Sequence, residues 1–374
     1  MAELITPGEK VRDLAIAPRR IPIEVEGSAA FELILTLWST FNPKDSHTAY
    51  DLGEGWHDEV KTLVADDLAE EIMTLGGPYC AAWLGIASLL MSAPHPHDPE
   101  HVYGWLETVD DKRLRRWLLG YSSENDDQSL IEQAADGDID AAIRLLGDAV
   151  DDEPGLIDYI QWMLEAEGLP GRFASILKRF RTEVFANYEE EFAGSIGRAA
   201  AARRAAPVRG DAKAVIEEVT SGLAFDIPLG VTRVVLVPSV VTRPLSLVDA
   251  NRGTLIVYYG IPDEFINSDP EAPPSWLVRI YKALSDEKRL RIMRRISEGE
   301  ASLDELTELL GLSKSTVHHH INQLRGAGLI RVQMSADNHK GKQKIYSLRE
   351  QSLADAGGFL DSYLRTDEQE QRHA

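Results

Sequence analysis

Apolar residues recur at helical spacing from Ile21 to about Tyr121. FELILTLWSTF (31–41) and VKTLVADDLAEEIMTLGG (60–77) place them at i, i+3 and i+4, the second ending on a glycine pair suited to a helix C-terminus. PYCAAWLGIASLLM (78–91) is apolar on nearly every side and predicts a buried helix. The Pro-rich loop SAPHPHDPE (92–100) separates it from VYGWLETVDDKRLRRWLLGY, where the helical period resumes. ENDDQSLIEQAADGDIDAAIRLLGD (124–148) predicts two short helices broken at Gly137. From Pro154 to about Arg204 the pattern is again helical, interrupted at GLPG (168–171). The period then changes. FDIPLGVTRVVLVPSVVTRPLSLVDANRGTLIVYYGI (225–261) carries β-branched runs between Gly, Pro and Asn turns, with VTRVVLV and GTLIVYYG the clearest strands. NSDPEAPP (267–274) has the composition of a linker, and helical spacing returns beyond it.

SWLVRIYKALSD (275–286) and EKRLRIMRRISEGE (287–300) predict two amphipathic helices. At about 100° per residue the second gathers Leu290, Ile292, Met293 and Ile296 into a broad apolar arc. Arg289 falls inside that arc, so it extends to the rim or finds a carboxylate. Next, Ser302 with Glu305 three residues on makes a capping box. Leu303, Leu306, Leu309 and Leu310 form the buried side of that helix, and Gly311 stops it. Ser313 caps a second helix that ends at Gly326, and two helices joined by so short a turn form a helix-turn-helix. LIRVQM (329–334) and KIYSL (344–348) predict a β-hairpin wing, with His339, Lys340 and Lys342 in the polar turn between them.

ALSDEKRLRIMRRISEGEASLDELTELLGLSKSTVHHHINQLRGAGLIRV resembles the ArsR-type winged-helix repressors throughout. It shares their ALSDxxRLxIL opening, with Met293 for the final leucine, and their LSxSTVxxHxxxLxxAGL segment from Leu312 to Leu329. The resemblance covers roughly residues 276–350. Residues 20–260 resemble the long N-terminal region of the large ArsR-like regulators of actinobacteria, through RVVLVPSVVTRP followed by GTLIVYYG. The expected fold is mostly α with small β elements. A tail (1–20) precedes a helical N-terminal region (21–205), an α/β segment (206–266) and the linker. The winged helix-turn-helix (275–350) and a C-terminal dimerisation helix with its tail (351–374) follow.

Charge sharpens this division. The net −22 of the chain argues against a polyanionic partner. Between Trp276 and Glu350, however, 14 Lys/Arg stand against 9 Asp/Glu, leaving the remainder at 25 against 52. An acidic body therefore carries one basic module.

The three adjacent histidines 318–320 do not form a metal site, because neighbours on a helix do not face each other. Val317, His320, Ile321 and Leu324 share one side, whereas Ser315, His319 and Asn322 point away and His318 lies between. His320 is thus a packing residue. Lys314, Ser315, Thr316, His318, His319 and Asn322 are the candidate DNA contacts, with His339, Lys340 and Lys342 on the wing. ArsR-like metal sensors use thiolates in the preceding helix or carboxylate/His sets in the last one. Here SLDELTELL has no cysteine and the C-terminus holds only His373, so that function is not carried over. A separate cluster, HPHDPEH, offers His95, His97 and His101 beside Asp98 and Glu100, a donor set for zinc or nickel that also reads as an exposed polar loop. The single cysteine, Cys80, rules out an internal disulfide and reads as a small core residue.

The expected function is sequence-specific DNA binding in transcriptional regulation, with the recognition helix in the major groove and the wing on the phosphates. The expected partners are double-stranded operator DNA, a second copy of the chain and an unidentified small-molecule effector. No cofactor and no catalysis are expected. The absence of an 18-residue apolar run and of a signal-peptide core predicts a cytoplasmic protein with no membrane partner. The N-terminal region is read as a sensor or oligomerisation domain. The alternatives are an enzyme or a protein-interaction module carrying a winged helix, although the chain has no phosphate loop, nucleophile elbow or HExxH.

Overall fold

The computed structural model describes residues 21–42, 47, 50–122, 127–147, 155–228, 230–251, 253–266, 273–334 and 344–370. A three-residue strand, β1 (Ile23–Val25), opens it. Helices α1 (Ala29–Phe41), α2 (Gly53–Leu63), α3 (Asp66–Gly76), α4 (Ala81–Leu90), α5 (Pro99–Leu106) and α6 (Asp111–Ser122) follow. Then come α7 (Gln128–Ala135), α8 (Ile139–Leu146), α9 (Leu156–Glu165), α10 (Leu169–Glu183) and α11 (Glu189–Ala205). The architecture is mostly helical with small sheets, as the spacing implied. Among the described residues no single helix is long and apolar enough to cross a membrane, although the bent pair Asp66–Gly76 and Pro78–Leu90 passes on length and composition together.

α1 is the axis of the N-terminal body. Every residue from Ala30 to Thr40 is buried, and α2, α4, α5, α10 and α11 pack around it. The helical spacing did not announce β1, which owes its strand character to pairing with β3.

Helix α12 (Ala212–Val219) leads to β2 (Leu223–Phe225), β3 (Arg233–Ser239), β4 (Ser246–Asn251) and β5 (Thr254–Gly260). One sheet has the order β1-β3-β5-β4, with β1, β3 and β5 parallel and β4 antiparallel to β5. Both faces are covered. Val235, Val237, Ile256 and Tyr258 enter the helical core, while Val234, Leu236, Leu255, Val257 and Tyr259 meet Val215 and Ile216 of α12. That explains why these strands read as continuous apolar runs rather than alternating ones.

The C-terminal portion holds α13 (Ser275–Leu284), α14 (Glu287–Ser297), β6 (Ala301–Ser302), α15 (Leu303–Leu310), α16 (Lys314–Gly326), β7 (Ile330–Met334), β8 (Lys344–Leu348) and α17 (Glu350–Glu370). Its sheet has the order β2-β7-β8-β6. The edge strand β2 therefore comes from upstream of the linker and pairs in parallel with β7, Leu223 opposite Val332. Arg331 reinforces the join by donating to Glu217 (2.9 Å), and Arg349 does so by donating to the Ser221 carbonyl (2.9 Å).

One buried carboxyl shapes the loop that follows β3. Glu32 on α1 is 1% exposed, and its Oε1 accepts from the backbone amides of Val240 and Val241 at 2.9 and 2.8 Å. Burial pushes its pKa up to about 7, against the lowering effect of Ser239 and these amides. Between pH 4.5 and 7 the folded chain then holds a proton that the unfolded chain has lost. Stability is therefore fully present below about 4.5 and declines as pH rises through 7. Glu32→Gln, which keeps the accepting oxygen, is expected to flatten this decline in urea unfolding measured from pH 4.5 to 7.5; an unchanged slope would mean that other groups set it.

Candidate nucleic-acid interface

Local chemistry builds the two helices of the helix-turn-helix. Ser302 Oγ accepts from the Glu305 amide and Glu305 Oε2 accepts from the Ser302 amide (2.7 Å), so two orphan donors at the start of α15 are satisfied reciprocally. Gly311 ends α15 in the left-handed region, with φ 63°. Ser313 then caps α16 by accepting from the Thr316 amide. Val317, Ile321 and Leu324 turn into a core with Ile292, Met293, Ile296, Leu306, Leu310, Leu329, Val332 and Tyr346.

Two leucines depart from the expected arcs. Leu290 is 48% exposed and Leu309 39%, each at the edge of its apolar arc. Arg289 stays near the core by capping α13, donating to the carbonyls of Ala283 and Lys282 at 2.7 Å each.

On α16, Lys314, Ser315 and Thr316 are exposed and His319 is half-buried. Lys314 pairs with Asp304 across the turn at 2.7 Å, both side chains largely in solvent, so the pair contributes little and the ammonium can be traded. Ser315 and Thr316 hydroxyls both meet Ser313 Oγ, at 2.9 and 2.8 Å. Half-buried His320 faces Asp286 at 3.8 Å. Burial lowers its pKa against the pull of that carboxylate. His318 is also held below the ordinary histidine value, first by burial and then by the cations Lys344 and Arg325. Asn322 Nδ2 donates toward its Nδ1 at 3.3 Å, which leaves the hydrogen on Nε2. β7 and β8 form the antiparallel base of a hairpin, Val332 opposite Tyr346. His339, Lys340 and Lys342 lie outside the described residues.

The sequence of this portion has relatives. Residues 284–333 match the family model described as a helix-turn-helix domain. The HTH-type transcriptional regulator CmtR of Mycobacterium tuberculosis is 36% identical over 90 residues, 24% of this chain and 72% of CmtR. The arsenic resistance transcriptional regulator ArsR1 of Pseudomonas putida is 37% identical over 70 residues, 18% of this chain and 51% of its own. The chain belongs to the ArsR-type helix-turn-helix regulators. The solved ArsR family transcriptional regulator RHA00566 aligns with 26% of this chain and 98% of its own, at 22% identity and a TM-score of 0.20. These likenesses cover between 18% and 26% of this ArsR-type regulator, and the family model falls within its C-terminal portion.

The N-terminal body touches the far end of α16. Asn322, Gln323 and Gly326 line one cleft with Tyr50, Asp51 and Pro244. Pro244 Cγ stands 2.8 Å from where a Cβ on Gly326 would be, so the contact admits only glycine without a shift. Four charges lock the seam. Arg243, 7% exposed, lies between Asp51 (3.2 Å) and Asp263, and Asp51 also takes Arg279 of α13 at 2.5 Å. Asp263 accepts from the Trp276 amide (3.0 Å) and the Ser275 hydroxyl (2.6 Å), capping α13 from outside the module. A helical wheel gave α16 one continuous outer face. The tertiary structure divides it, leaving the first turn exposed and the last against the body.

The histidine-rich loop is arranged differently from its sequence. His101 is engaged by Asp98 at 2.6 Å and Glu100 by Arg181 at 2.6 Å. His95 and His97 instead meet Glu26, just after β1, which lies too far back along the chain for spacing to reveal it. Cys80 is buried one residue before α4, and desolvation pushes its thiol up to about 11, as a small core residue requires.

Removing one member of the seam strands its partners. Arg243→Met is expected to cost about 3–5 kcal/mol in urea unfolding, because Asp263 then loses its buried counter-charge. A cost near zero would show that Arg279 alone neutralises the site.

Proposed function

We propose that this transcriptional regulator reads operator DNA by laying α16 in the major groove, with Lys314, Ser315, Thr316, His318 and His319 toward the bases and adjoining phosphates and Asn322, at the edge of the cleft, orienting His318. The wing, with His339, Lys340 and Lys342, then lies on the phosphate backbone. The observation that carries this reading is the exposed polar first turn of α16 on a doubly capped helix-turn-helix. The excess of cations between Trp276 and Glu350 on an otherwise acidic chain supports it.

The N-terminal region acts as the sensor. A cavity of about 430 Å³ opens at the seam, walled by Arg203 and Tyr259 of the body, Arg243 and Pro244 of the loop, and Trp276 and Gly326 of the winged helix. Its size suits a small molecule, and any occupant would touch both halves at once. Differential affinity for two seam arrangements is what an effector needs in order to alter DNA binding.

The active species is a homodimer. α13 and α17 leave Tyr281 and Tyr363 exposed along a shared groove, and the next residue of α17, Leu364, is 63% exposed. Burying that face against a second copy pairs two reading heads for a two-fold operator.

Ser315→Ala or His319→Ala is expected to relax sequence preference in selection from random duplexes. Lys340→Ala is expected instead to weaken all duplex binding and lower the salt slope by about one. A Lys340→Ala protein with altered preference and an unchanged slope would reverse these roles. Leu364→Asp is expected to shift the chain to monomer in analytical ultracentrifugation and weaken operator binding at least tenfold. A dimer that persists would place the seam elsewhere.

A further inference from the structure

We propose that Glu26, His95 and His97 form a binding site for a divalent transition-metal ion of the zinc, cobalt or nickel class, on the N-terminal body and independent of the DNA-reading surface. Each residue offers one donor atom, and the three atoms lie within 4.8 Å of one another. His97 Nδ1 stands 3.0 Å from Glu26 Oε2, and His95 Nδ1 stands 3.9 Å from the same oxygen. Donors about 2.1 Å from a tetrahedral ion are roughly 3.4 Å apart. The two distances bracket that value, so small side-chain rotations suffice.

Hydrogen bonding selects the chemistry. His97 Nε2 lies 3.0 Å from the Ala93 carbonyl, which can only accept, so Nε2 carries the hydrogen. In the neutral ring Nδ1 is then a lone pair facing a carboxylate oxygen at 3.0 Å. Two acceptors at that distance require a cation between them, either a proton on Nδ1 or a metal ion. A proton would complete the His97–Glu26 pair alone, whereas His95, its ring centroid 4.0 Å from that of His97, brings a third nitrogen toward the same oxygen. The convergence of a third donor on the same oxygen is what an ion uses. A ligating imidazole whose other nitrogen donates to a backbone carbonyl is the usual support around a bound metal.

The rest of the fold supports this division of labour. His97 is 3% exposed at its side chain and meets the Phe31 ring edge-on at 5.9 Å between centroids. The Glu26 amide donates to the Leu236 carbonyl on β3 at 2.9 Å. Two donors are thus fixed, from segments far apart in the chain. His95 is 76% exposed at its side chain and free to swing onto the ion, with solvent available for the fourth position. Two imidazoles and a carboxylate suit borderline ions and do not select the hard calcium or magnesium ions.

The test is titration of the full-length, chelator-treated protein with Co²⁺ and then Zn²⁺, read by isothermal calorimetry and by the Co²⁺ visible spectrum. One equivalent with absorption of tetrahedral or five-coordinate cobalt is expected, displaced by Zn²⁺. His95→Ala and Glu26→Gln are expected to weaken it at least tenfold, while His101→Ala leaves it unchanged. Because His95 is exposed, its variant keeps the fold, checked by thermal melting. The proposal is overturned if the parent takes up no ion, or if His95→Ala and Glu26→Gln bind like the parent. Loss of binding in His101→Ala alone would also overturn it. None of these outcomes depends on DNA binding, so failure here leaves the reading of the regulator untouched.

Discussion

Burying a guanidinium without anions around it is costly, and that constraint organises the junction in this regulator. Arg243 sits between Asp51 and Asp263, and Asp51 is shared with Arg279. The three segments that supply Arg243, Asp51 and Asp263 belong to the body, while Arg279 belongs to the first helix of the reading head. Neutralisation therefore fixes their mutual position more tightly than the linker composition between them suggests. The same loop places Pro244 on Gly326, which makes the end of α16 part of the junction.

Two further contacts give the junction direction. Glu32, on the most deeply buried helix, holds the amides of Val240 and Val241 a few residues ahead of Arg243 and Pro244. Strand β2 extends the β7–β8 sheet, so the body grips the winged-helix portion at that hairpin as well as at α16. Backbone hydrogen bonds and ion pairs thus tie the body both to α16 and to the β7–β8 hairpin base. The cavity at the seam lies between these two grips.

The reading head itself was largely legible in the sequence. Ser302 with Glu305, Gly311 and Ser313 are local signals whose chemistry acts within four residues, and each does in the structure what its spacing implied. The wing strands fell at LIRVQM and KIYSL because β-branched runs between polar turns are also local. The exceptions, Leu290 and Leu309, show the limit of a wheel: it ranks faces by hydrophobicity and cannot tell whether a neighbour arrives to cover their edge.

Charge segregation, helix caps and strand periods are properties of short windows, so the amino-acid order alone settled the helix-turn-helix, the basic module and the mainly helical body. Long-range encounters were decided only by folding. β1 exists because β3 lies beside it, β2 joins a sheet across the linker, Glu26 reaches two histidines across the fold, and Asn322 faces the body rather than open solvent alone. No window of sequence records such meetings, because they depend on where the packed core delivers each segment.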